Sequence, residues 1–494
     1  MSRTQTIDIA EPILSAIGAL ADRHGIEVYA VGGYVRNKLL QKPITDLDVV
    51  VIGDGVAFAK LVAESFHREH IVTYERFGTA MVQFEGTKVE FVGARKESYH
   101  DDSRKPEVNR GTLTDDLARR DFTINAMAVS LNADHWGTLV DPFDGEGDLQ
   151  RRVIRTPLDP ERTFSDDPLR IMRAIRFASQ LQFSIAPVTL AAMRRMRERL
   201  NIVSQERITD EFLKILMSPK PSVGLKLMYN TGVMDIVLPE VSELAGVDQR
   251  KDYHHKDVFF HTLKVVDNVA EVSDSLWLRF AALMHDIAKP RTKSFREGIG
   301  WTFYGHEELG ARMMKGLFHR LRLPMEPLKY VEKLIRLHLR PMALVDEGVT
   351  DSAVRRLLFD AGEEIDDLMV LCRADITSQN PSLVNQFTRN YDRVVERMRE
   401  VEEKDRIRAW RPPINGNEIM EVCGLEPGPL VGKLKKMIEE AILDGKIPHE
   451  HDAALQYLLS IKDEVIASAS EHEHRGSPPK VQKNLSSTGK STSS

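Results

Sequence analysis

Two aspartates separated by one residue are the first feature of the sequence that could do chemistry. They stand in the run Thr45-Asp46-Leu47-Asp48, which leads into the apolar segment Val49–Ile52. Because alternate residues of a strand project from one face, Asp46 and Asp48 would present two carboxylates side by side. Neighbouring like charges are costly unless a cation neutralises them, and oxygen ligands suit Mg²⁺. We therefore expect Asp46 and Asp48 to be catalytic residues that bind magnesium for phosphoryl transfer.

A glycine pair and an arginine precede these aspartates. Gly32 and Gly33 follow a predicted strand, and Arg36 comes one turn later in a helix-like run. Glycines at such a turn let backbone N–H groups approach a phosphate, and a guanidinium adds positive charge. A Gly-Gly pair alone usually marks only a turn, but its combination with Asp46 and Asp48 favours a nucleotide site.

A second segment, Arg119–Met127, offers further groups for a nucleotide. Arg120 could grip a phosphate with two parallel hydrogen bonds. Asp121 and Asn125 would lie four residues apart on a helix, where both could bind sugar hydroxyls. Contacts to a sugar hydroxyl allow a site to prefer ribonucleotides.

The run Asp166–Phe177 is predicted to form one helix, with Asp167 and Arg170 on the same face. A carboxylate accepts hydrogen bonds, whereas a guanidinium only donates them. Cytosine and adenine present an amino donor where uracil and guanine present a carbonyl. The pair could therefore select C and A without a template, by on the order of a few kcal/mol. The alternative interpretation is a structural ion pair.

A histidine–aspartate pair forms a second candidate site. His285 and Asp286 follow the apolar run Leu276–Met284, which predicts a helix that buries the pair among other helices. Adjacent imidazole and carboxylate groups provide two ligands for a divalent cation. A lone histidine in a helix is more often simply packed or exposed. The metal-site prediction therefore depends on the adjacency of His285 and Asp286.

The elements that must position these groups divide the chain into a mixed first part and a helical remainder. Strand and helix signals alternate up to about residue 157, and helical periodicity then dominates to about residue 465. From residue 471 the chain is rich in Ser, Pro, Gly and Lys, which predicts disorder. The expected fold is multidomain α+β, and its predicted strands are Glu27–Val31, Asp48–Ile52, Ala80–Phe84 and Lys88–Val92.

Composition narrows the functional classes. A chain of 494 residues is too long for one core, so three or four domains are expected. The net charge of −6 argues against a protein that coats nucleic acid through a global positive field. RNA binding would need a local basic patch, for which Arg194, Arg195, Arg197 and Arg199 are one candidate.

Two cysteines, Cys372 and Cys423, cannot build a disulfide framework, which fits a reducing cytoplasm. The apolar runs are all shorter than a membrane span, so no membrane partner is expected.

The glycine, arginine and aspartate motifs together resemble the nucleotidyltransferase superfamily of DNA polymerase beta. More closely, they resemble the class II tRNA nucleotidyltransferases and their poly(A) polymerase relatives. The resemblance implies that Asp46 and Asp48 hold Mg²⁺ and that Asp167 and Arg170 read the base. It also implies that the triphosphate is bound by Gly33, Arg36, Arg173 and Arg176.

Three positions refine this resemblance. Asn37 and Asp166 replace the aspartate and the glutamate that are usual in the family. Glu90, on a later predicted strand, is a candidate third carboxylate. The segment Glu206–Phe212 resembles the neck that follows the base-reading helix, and we expect it to be structural.

The order His261, then His285-Asp286, then a distant Asp375 resembles the HD phosphohydrolase superfamily. The resemblance implies that these four residues bind a divalent metal, such as a transition metal, which activates water against a phosphoester. His306 and His338 fall where some members of the superfamily place ligands for a second metal.

These resemblances imply a domain order along the chain: a nucleotidyltransferase head (1–157), a helical neck with the base-reading helix (158–245), an HD domain (246–380), a helical C-terminal domain (381–470) and a disordered tail (471–494). The implied activity is the addition of CCA to the 3′ end of tRNA from CTP and ATP. A poly(A) polymerase and a partial enzyme that adds only CC or only A remain open. So does an HD phosphohydrolase whose head only senses nucleotides.

Overall fold

The computed structural model describes residues 6–44, 46–75, 78–98, 107–247, 257–345, 350–378, 380–405 and 413–475. They form two compact units. The first holds the described residues up to His338 together with Arg373–Thr377, and the second holds Leu339–Cys372 and the described residues from Ser378 onward. The expected multidomain α+β class is confirmed, while the predicted domain boundaries stay predictions.

The head is built on a mixed sheet. Its strands and helices, in chain order, are α1 (Pro12–Arg23), β1 (Val28–Val31), α2 (Gly33–Leu39), β2 (Asp46–Val51), α3 (Gly55–Ser65), β3 (Ile71–Tyr74), β4 (Thr79–Phe84), β5 (Thr87–Gly93), β6 (Arg95–Ser98), β7 (Glu107–Arg110), α4 (Leu113–Ala118), β8 (Ala128–Ser130), β9 (Leu139–Val140) and α5 (Gly145–Arg151). Seven strands pair in the order β3-β4-β5-β2-β1-β8-β9, and β6 pairs with β7 separately. Within the seven, β2 and β5 run parallel and the other pairs are antiparallel. The four predicted strands are confirmed.

Strand β2 carries the two aspartates at its beginning. Its last three residues, Val49–Val51, are fully buried, because both faces of the sheet are covered at this central strand. The strand emerges from the core at its first residues, where Asp46 is exposed and Asp48 is half-buried. The change from apolar to acidic residues along β2 therefore places the carboxylates at the edge of the core. Thr45 lies outside the described residues.

The neck is helical apart from one short parallel strand pair. Its elements are β10 (Val153–Ile154), α6 (Pro160–Asp166), α7 (Leu169–Leu181), β11 (Ser184–Ile185), α8 (Pro187–Met196), α9 (Gln205–Leu216), α10 (Pro221–Thr231), α11 (Val233–Val237) and α12 (Pro239–Ser242). The prediction of one helix over Asp166–Phe177 is wrong in its first turn. Asp167 is extended between α6 and α7, because a residue that precedes proline, here Pro168, disfavours the helical conformation.

The rest of the first unit is a group of helices with one hairpin. Its elements are α13 (Val258–Val272), α14 (Leu276–Met284), α15 (Lys289–Thr292), β12 (Ser294–Arg296), β13 (Gly300–Thr302), α16 (His306–Arg320) and α17 (Leu328–Leu337). The predicted helix Leu276–Met284 is confirmed at both ends, and its residues from Leu278 on are buried. The antiparallel hairpin of β12 and β13 lies where only helices were expected.

The remaining helices are α18 (Arg340–Ala343), α19 (Asp351–Ala361), α20 (Ile365–Ala374), α21 (Pro381–Asp405), α22 (Gly416–Cys423), α23 (Pro429–Leu443) and α24 (His451–Arg475). Asn415 caps α22 by accepting hydrogen bonds from the next helical N–H groups. Residues 471–475 continue α24, so the prediction that disorder begins at 471 is wrong for these five residues. Residues 476–494 lie outside the described ranges. None of the helices described above is long and apolar enough to cross a bilayer.

Candidate active site and metal centre

Three carboxylates share one face of the head sheet. Asp46 and Asp48 stand two residues apart on β2, and Glu90 on β5 lies beside Asp48 in the parallel register. Burial raises the pKa of Asp48, and Asp46 raises it further, while Arg120 acts in the opposite direction. Burial also raises the pKa of Glu90, and the negative charge of Asp48 adds to this effect. The three groups therefore repel one another, and a bound cation would relieve that repulsion.

The turn at Gly32 lies close to Arg120 and to Asp48. Gly32 has a φ of 68°, in the left-handed region that favours glycine. A Cβ at Gly32 would lie 2.8 Å from Arg120 Nη1 and 3.8 Å from Asp48 Oδ2. A Cβ at Gly33 would meet only Arg36, at an ordinary 3.7 Å. The positive φ thus requires glycine at position 32, and a side chain there would also displace the guanidinium of Arg120.

One cavity of about 420 Å³ collects the predicted nucleotide-binding residues. Its lining includes Gly32, Gly33, Arg36, Asp48, Arg120, Asp121, Asn125, Asp167, Arg170, Arg173 and Arg176. Four further lining residues were not predicted as site residues, namely Arg119, Leu169, Phe177 and Arg207. Seven arginines and three aspartates line the cavity, so its charge is opposite to that of a nucleoside triphosphate.

Two amides hold Arg36 in place. Its Nη1 donates to Asn125 Oδ1 at 2.7 Å, and its Nε and Nη2 donate to Asn37 Oδ1 at 3.1 and 2.9 Å. Burial lowers the pKa of Arg36 to about 10, and Arg176 and Arg173 contribute to the decrease. The amide oxygen of Asn37 thus orients the guanidinium at a position where the family usually has aspartate.

Asp121 is buried at the centre of the cavity wall. Its Oδ2 accepts two hydrogen bonds from Arg173, at 2.8 and 2.6 Å, and its Oδ1 accepts one from Asn125 at 2.9 Å. Burial favours the neutral acid, but Arg173 and Asn125 outweigh it and lower the pKa of Asp121. The prediction that Asp121 and Asn125 share an α-helix is wrong, because Phe122 is extended and only Thr123–Asn125 form a short 3-10 helix. The two side chains nevertheless meet.

Three arginines surround one aromatic ring. The guanidinium carbons of Arg176, Arg36 and Arg173 lie 4.2, 5.1 and 5.5 Å from the ring centre of Phe177. The negative face of an aromatic ring attracts cations, so Phe177 reduces the repulsion among these arginines. In the sequence, Phe177 is only the last residue of the run Asp166–Phe177. Its apolar character indicated a core position and gave no signal for this role.

The two predicted base-reading residues have separate partners within the protein. Asp167 accepts from the backbone N–H of Leu169 at 3.2 Å and from Arg207 at 3.3 Å. Arg170 donates to the backbone carbonyls of Arg119 at 2.6 Å and Thr163 at 3.3 Å. Both side chains line the cavity, so they can still face a bound base.

Two buried acids position further arginines of the cavity. Glu211 accepts from Arg176 at 2.6 Å, and Asp116 accepts from both Arg119 and Arg120, at 2.9 and 3.1 Å. Burial favours the neutral form of Asp116, but the two arginines outweigh it and lower its pKa. Glu211 lies in the neck segment for which only a structural role was expected. A buried acid needs a partner, but sequence spacing does not identify the partner across helices.

The second candidate site lies among the helices that follow the neck. Six side chains meet there: His261 on α13, His285 and Asp286 directly after α14, His306 on α16, His338 directly after α17, and Asp375 directly after α20. His261 Nε2 lies 2.9 Å from Asp375 Oδ1, and His285 Nε2 lies 3.1 Å from Asp286 Oδ2. The structure thus brings together all four residues that were matched to the HD pattern, together with the two further histidines.

Backbone carbonyls fix the direction of three of these imidazoles. The Nδ1 atoms of His285, His306 and His338 lie 2.8, 2.7 and 2.7 Å from carbonyl oxygens of Ala282, Phe303 and Ile335. A carbonyl only accepts, so each Nδ1 carries a proton, and in the neutral imidazole the lone pair is on Nε2. This is the tautomer in which histidine binds a metal through Nε2.

Asp286 connects two groups of ligand atoms. Its Oδ2 faces His261 and His285, at 3.7 and 3.1 Å, while its Oδ1 faces His306 and His338, at 3.3 and 3.9 Å. His285 Nε2, Asp286 Oδ1, His306 Nε2 and Asp375 Oδ1 are buried polar atoms without a hydrogen-bond partner. Orphaned atoms of this kind are costly in a protein interior unless a ligand satisfies them.

The charges of this cluster also demand a cation. Burial opposes protonation of His285, but Asp286 and Asp375 outweigh it and raise the pKa of His285 to about 10. Burial and the charge on His285 lower the pKa of His338 to about 3. Without a metal, the two carboxylates favour a proton on His285, and Lys289 donates to Asp286 Oδ2 at 2.7 Å. The donor set fits a divalent ion in place of that proton.

Family models match three consecutive parts of the chain. Residues 28–155 match the Poly A polymerase head domain, residues 182–244 match the probable RNA and SrmB-binding site of polymerase A, and residues 258–379 match the HD domain. Both candidate sites fall within these ranges, apart from the residues of α7 and Asp167.

Several proteins resemble the chain over most of their own length. The multifunctional CCA protein of Paraburkholderia phymatum is 38% identical over 319 residues, which cover 61% of this chain and 71% of that protein. The A-adding tRNA nucleotidyltransferase of Deinococcus radiodurans is 34% identical over 355 residues, which cover 70% of this chain and 79% of that protein.

Among solved structures, the CCA-adding enzyme of Bacillus stearothermophilus in complex with CTP matches 94% of this chain and all of that chain, with a TM-score of 0.61 and 24% identity. The Thermotoga maritima CCA-adding enzyme complexed with tRNA matches 93% of this chain and 95% of that chain, with a TM-score of 0.57 and 23% identity. At these identities the two structures support the fold. Together with the curated relatives, they show that the chain belongs to the class II CCA-adding enzyme and poly(A) polymerase family, as a nucleotidyltransferase that carries an HD domain.

Proposed function

We propose that the head adds CCA to the 3′ end of tRNA, with CTP and ATP as substrates. The observation that carries the proposal is the single cavity in which Asp48, seven arginines and the pair Asp167 and Arg170 meet. Such a lining can hold a triphosphate, a catalytic cation and a base at once. The names of the relatives agree, because several are multifunctional CCA proteins.

The reaction forms one bond and breaks one. The 3′-hydroxyl oxygen of the RNA bonds to the α-phosphorus of the nucleotide and loses its proton, and the bond between the α-phosphorus and the β-bridging oxygen breaks, so pyrophosphate leaves. Asp46 and Asp48, with Glu90 beside them, are the residues that would hold Mg²⁺. When bound there, Mg²⁺ favours ionisation of the attacking hydroxyl and neutralises the leaving pyrophosphate.

The arginines of the cavity bind and orient the triphosphate. Arg36, Arg120, Arg173 and Arg176 supply guanidinium groups, which match the oxygens of a phosphate in geometry and charge. Asp121 contacts Arg173 and Asn125, so we assign it a positioning role. A group held in this way needs little reorganisation when the nucleotide arrives.

Asp167 and Arg170 select the base. The carboxylate of Asp167 can accept a hydrogen bond from the amino group of cytosine or adenine, and Arg170 can donate to a ring acceptor. Uracil and guanine would leave buried groups unpaired, which costs on the order of a few kcal/mol. Arg207 donates to Asp167 at 3.3 Å and so helps to orient its carboxylate.

Incubation with tRNA that lacks its last three nucleotides tests this proposal. With CTP alone we expect two additions, and with CTP and ATP we expect three and no more. The A-adding relative favours a second candidate, which would extend only a tRNA that already ends in CC. An open-ended A tail would instead indicate a poly(A) polymerase. Incorporation that persists unchanged in the Asp46→Ala, Asp48→Ala variant contradicts every transferase assignment to this cavity.

We further propose that the HD cluster binds divalent metal and hydrolyses a phosphoester. His261, His285, Asp286 and Asp375 would hold one ion, and Asp286, His306 and His338 a second. Imidazole mixed with carboxylate suits first-row transition metals. A metal bound here would lower the pKa of its water ligand, so that hydroxide forms at neutral pH. The water oxygen bonds to phosphorus, the ester P–O bond breaks, and an alcohol leaves with a proton.

Metal analysis separates the two ion sites. After reconstitution we expect two transition-metal ions per chain in the unmodified protein and about one in His306→Ala. In Asp286→Ala we expect phosphoester hydrolysis to be lost and CCA addition to be retained. His319→Ala is the matched control, because His319 is an exposed histidine on the same helix, α16. Equal metal content in His306→Ala, His319→Ala and the unmodified protein would contradict the second ion. We also propose the reducing cytoplasm as the location, since two cysteines cannot build a disulfide framework.

A further inference from the structure

The hairpin of β12 and β13 exposes large aromatic and apolar side chains. Phe295 is 55% exposed, Trp301 43%, Ile299 66% and Tyr304 64%. Phe295 and Trp301 are cross-strand partners whose ring centres lie 5.3 Å apart, nearly perpendicular. Their neighbour Thr302 is buried, so the hairpin packs through one face and offers these two rings on the other.

Basic side chains lie against these exposed rings. Lys293 Nζ is 4.7 Å from the ring centre of Trp301, and the guanidinium carbon of Arg296 is 4.9 Å from that of Tyr304. The segment Lys289–Tyr304 contains four Lys or Arg residues and one Glu, in a chain of net charge −6. Aromatic faces with adjacent cations are the arrangement that binds unpaired bases and their phosphates.

The hairpin is directly linked to the HD metal cluster. Phe303, one residue after β13, accepts the Nδ1 hydrogen bond of His306 through its carbonyl. Lys289 lies 5.8 Å from the ring centre of Phe303 and donates to Asp286 Oδ2 at 2.7 Å. Lys289 therefore places a positive charge between the hairpin and Asp286, where it could attract the phosphate next to a stacked base.

We propose that the hairpin Ser294–Thr302, with Tyr304, is a stacking surface for unpaired bases at an RNA end and presents the adjacent phosphoester to the HD metal cluster. This inference rests on the hydrolytic function proposed for that cluster, and it identifies single-stranded RNA as the substrate class. RNA is favoured over an uncharged apolar partner because each of the two exposed rings Trp301 and Tyr304 already has a cation beside it. The head, which handles RNA ends, lies on the same chain.

Crosslinking tests the surface without requiring hydrolysis. A single-stranded RNA of eight nucleotides that carries 4-thiouridine at its 3′ end is irradiated with the full-length protein, and crosslinked peptides are mapped by mass spectrometry. We expect crosslinks within residues 293–304 that are lost in Trp301→Ala and restored in Trp301→Phe. Tyr74→Ala is the matched control, because Tyr74 is a 51% exposed aromatic residue on β3 of the head. Crosslinks confined to other peptides, or equal losses in both alanine variants, overturn the proposal.

Hydrolysis provides a second readout. With a 3′-phosphorylated oligoribonucleotide, we expect Trp301→Ala to raise KM about tenfold, as for loss of one stacked base. Hydrolysis of glycerol phosphate, metal content and CCA addition stay unchanged, since the metal ligands and the head are intact. If the unmodified protein hydrolyses neither phosphoester, the proposed HD activity fails while the crosslinks still decide the surface. Hairpin-dependent binding of anionic vesicles without RNA crosslinks would assign the patch to lipid and overturn the proposal.

Discussion

Asp48 on β2 lies beside Glu90 on β5 in the parallel register of the head sheet. Residues paired in this way project from the same face, which also carries Asp46. Burial raises the pKa of Asp48 and of Glu90. Asp46 adds to the shift of Asp48, and Asp48 adds to the shift of Glu90. Folding therefore assembles three carboxylates whose mutual repulsion a bound cation would relieve. This relationship underlies the assignment of the head as the catalytic domain.

The first prediction concerns Glu90. In Glu90→Gln the face loses one of its three negative charges, so Mg²⁺ binds more weakly, and we expect the magnesium concentration for half-maximal incorporation to rise about tenfold. Titration of the incorporation rate with MgCl₂ measures this. Glu85→Gln is the control, since Glu85 is an almost fully exposed acid that follows β4 in the same sheet. Identical titrations of Glu90→Gln and Glu85→Gln would show that Glu90 is not a ligand.

The second prediction concerns the buried pair of Asp121 and Arg173. The amide in Asp121→Asn removes the charged hydrogen bonds, and we expect the protein to lose about 3 kcal/mol of stability near neutral pH. Folding lowers the pKa of Asp121 below its ordinary value of 3.8. Its contribution is therefore fully present above that value and is lost as the pH falls through the folded pKa.

Thermal melts of the two proteins between pH 7 and pH 3 check this dependence. The gap in melting temperature should be widest at neutral pH and should narrow below about pH 4. Asp144→Asn serves as the control, because it removes a largely exposed ion pair with Arg151. A gap that is constant with pH would mean that the charge of Asp121 contributes nothing to folding.

The third prediction concerns Phe177. Phe177→Leu keeps an apolar side chain but removes the ring on which three arginines lie, so their mutual repulsion increases. We expect KM for CTP and ATP to rise about tenfold with a smaller change in kcat, because the loss affects triphosphate binding. Phe164→Leu tests a buried ring of α6 that is outside the cavity lining. If both variants bind nucleotides equally well, the ring of Phe177 does not support triphosphate binding by the three arginines.

Most of the predicted nucleotide-binding residues line one cavity, because the spacing within each motif determines which side chains lie on the same face. Alternation along β2 placed Asp46 and Asp48 on one face, and the triplet spacing of Arg170, Arg173 and Arg176 placed three arginines on one side of α7. Pro168 carried enough information to end the predicted helix early, since the residue before a proline resists the helical conformation.

Other features depend on tertiary packing that spacing does not encode. The partnership of Asp116 with Arg120 is local, but that of Glu211 with Arg176 spans 35 residues and two helices. The gathering of arginines around Phe177 likewise requires that α2 and α7 meet. At the HD cluster the order of ligands was visible, whereas the two-sided role of Asp286 follows only from the directions of four imidazoles.

The central claim is that carboxylates at the start of β2 catalyse nucleotide addition in the arginine-lined cavity. Single-turnover incorporation of labelled CTP into tRNA that lacks CCA, with Asp48→Asn against the unmodified protein, tests it most directly. We predict a rate at least about a thousandfold lower, with unchanged affinity for tRNA, because the change removes transition-state stabilisation and leaves the RNA surface intact. A rate within a few-fold of the unmodified protein would contradict the account.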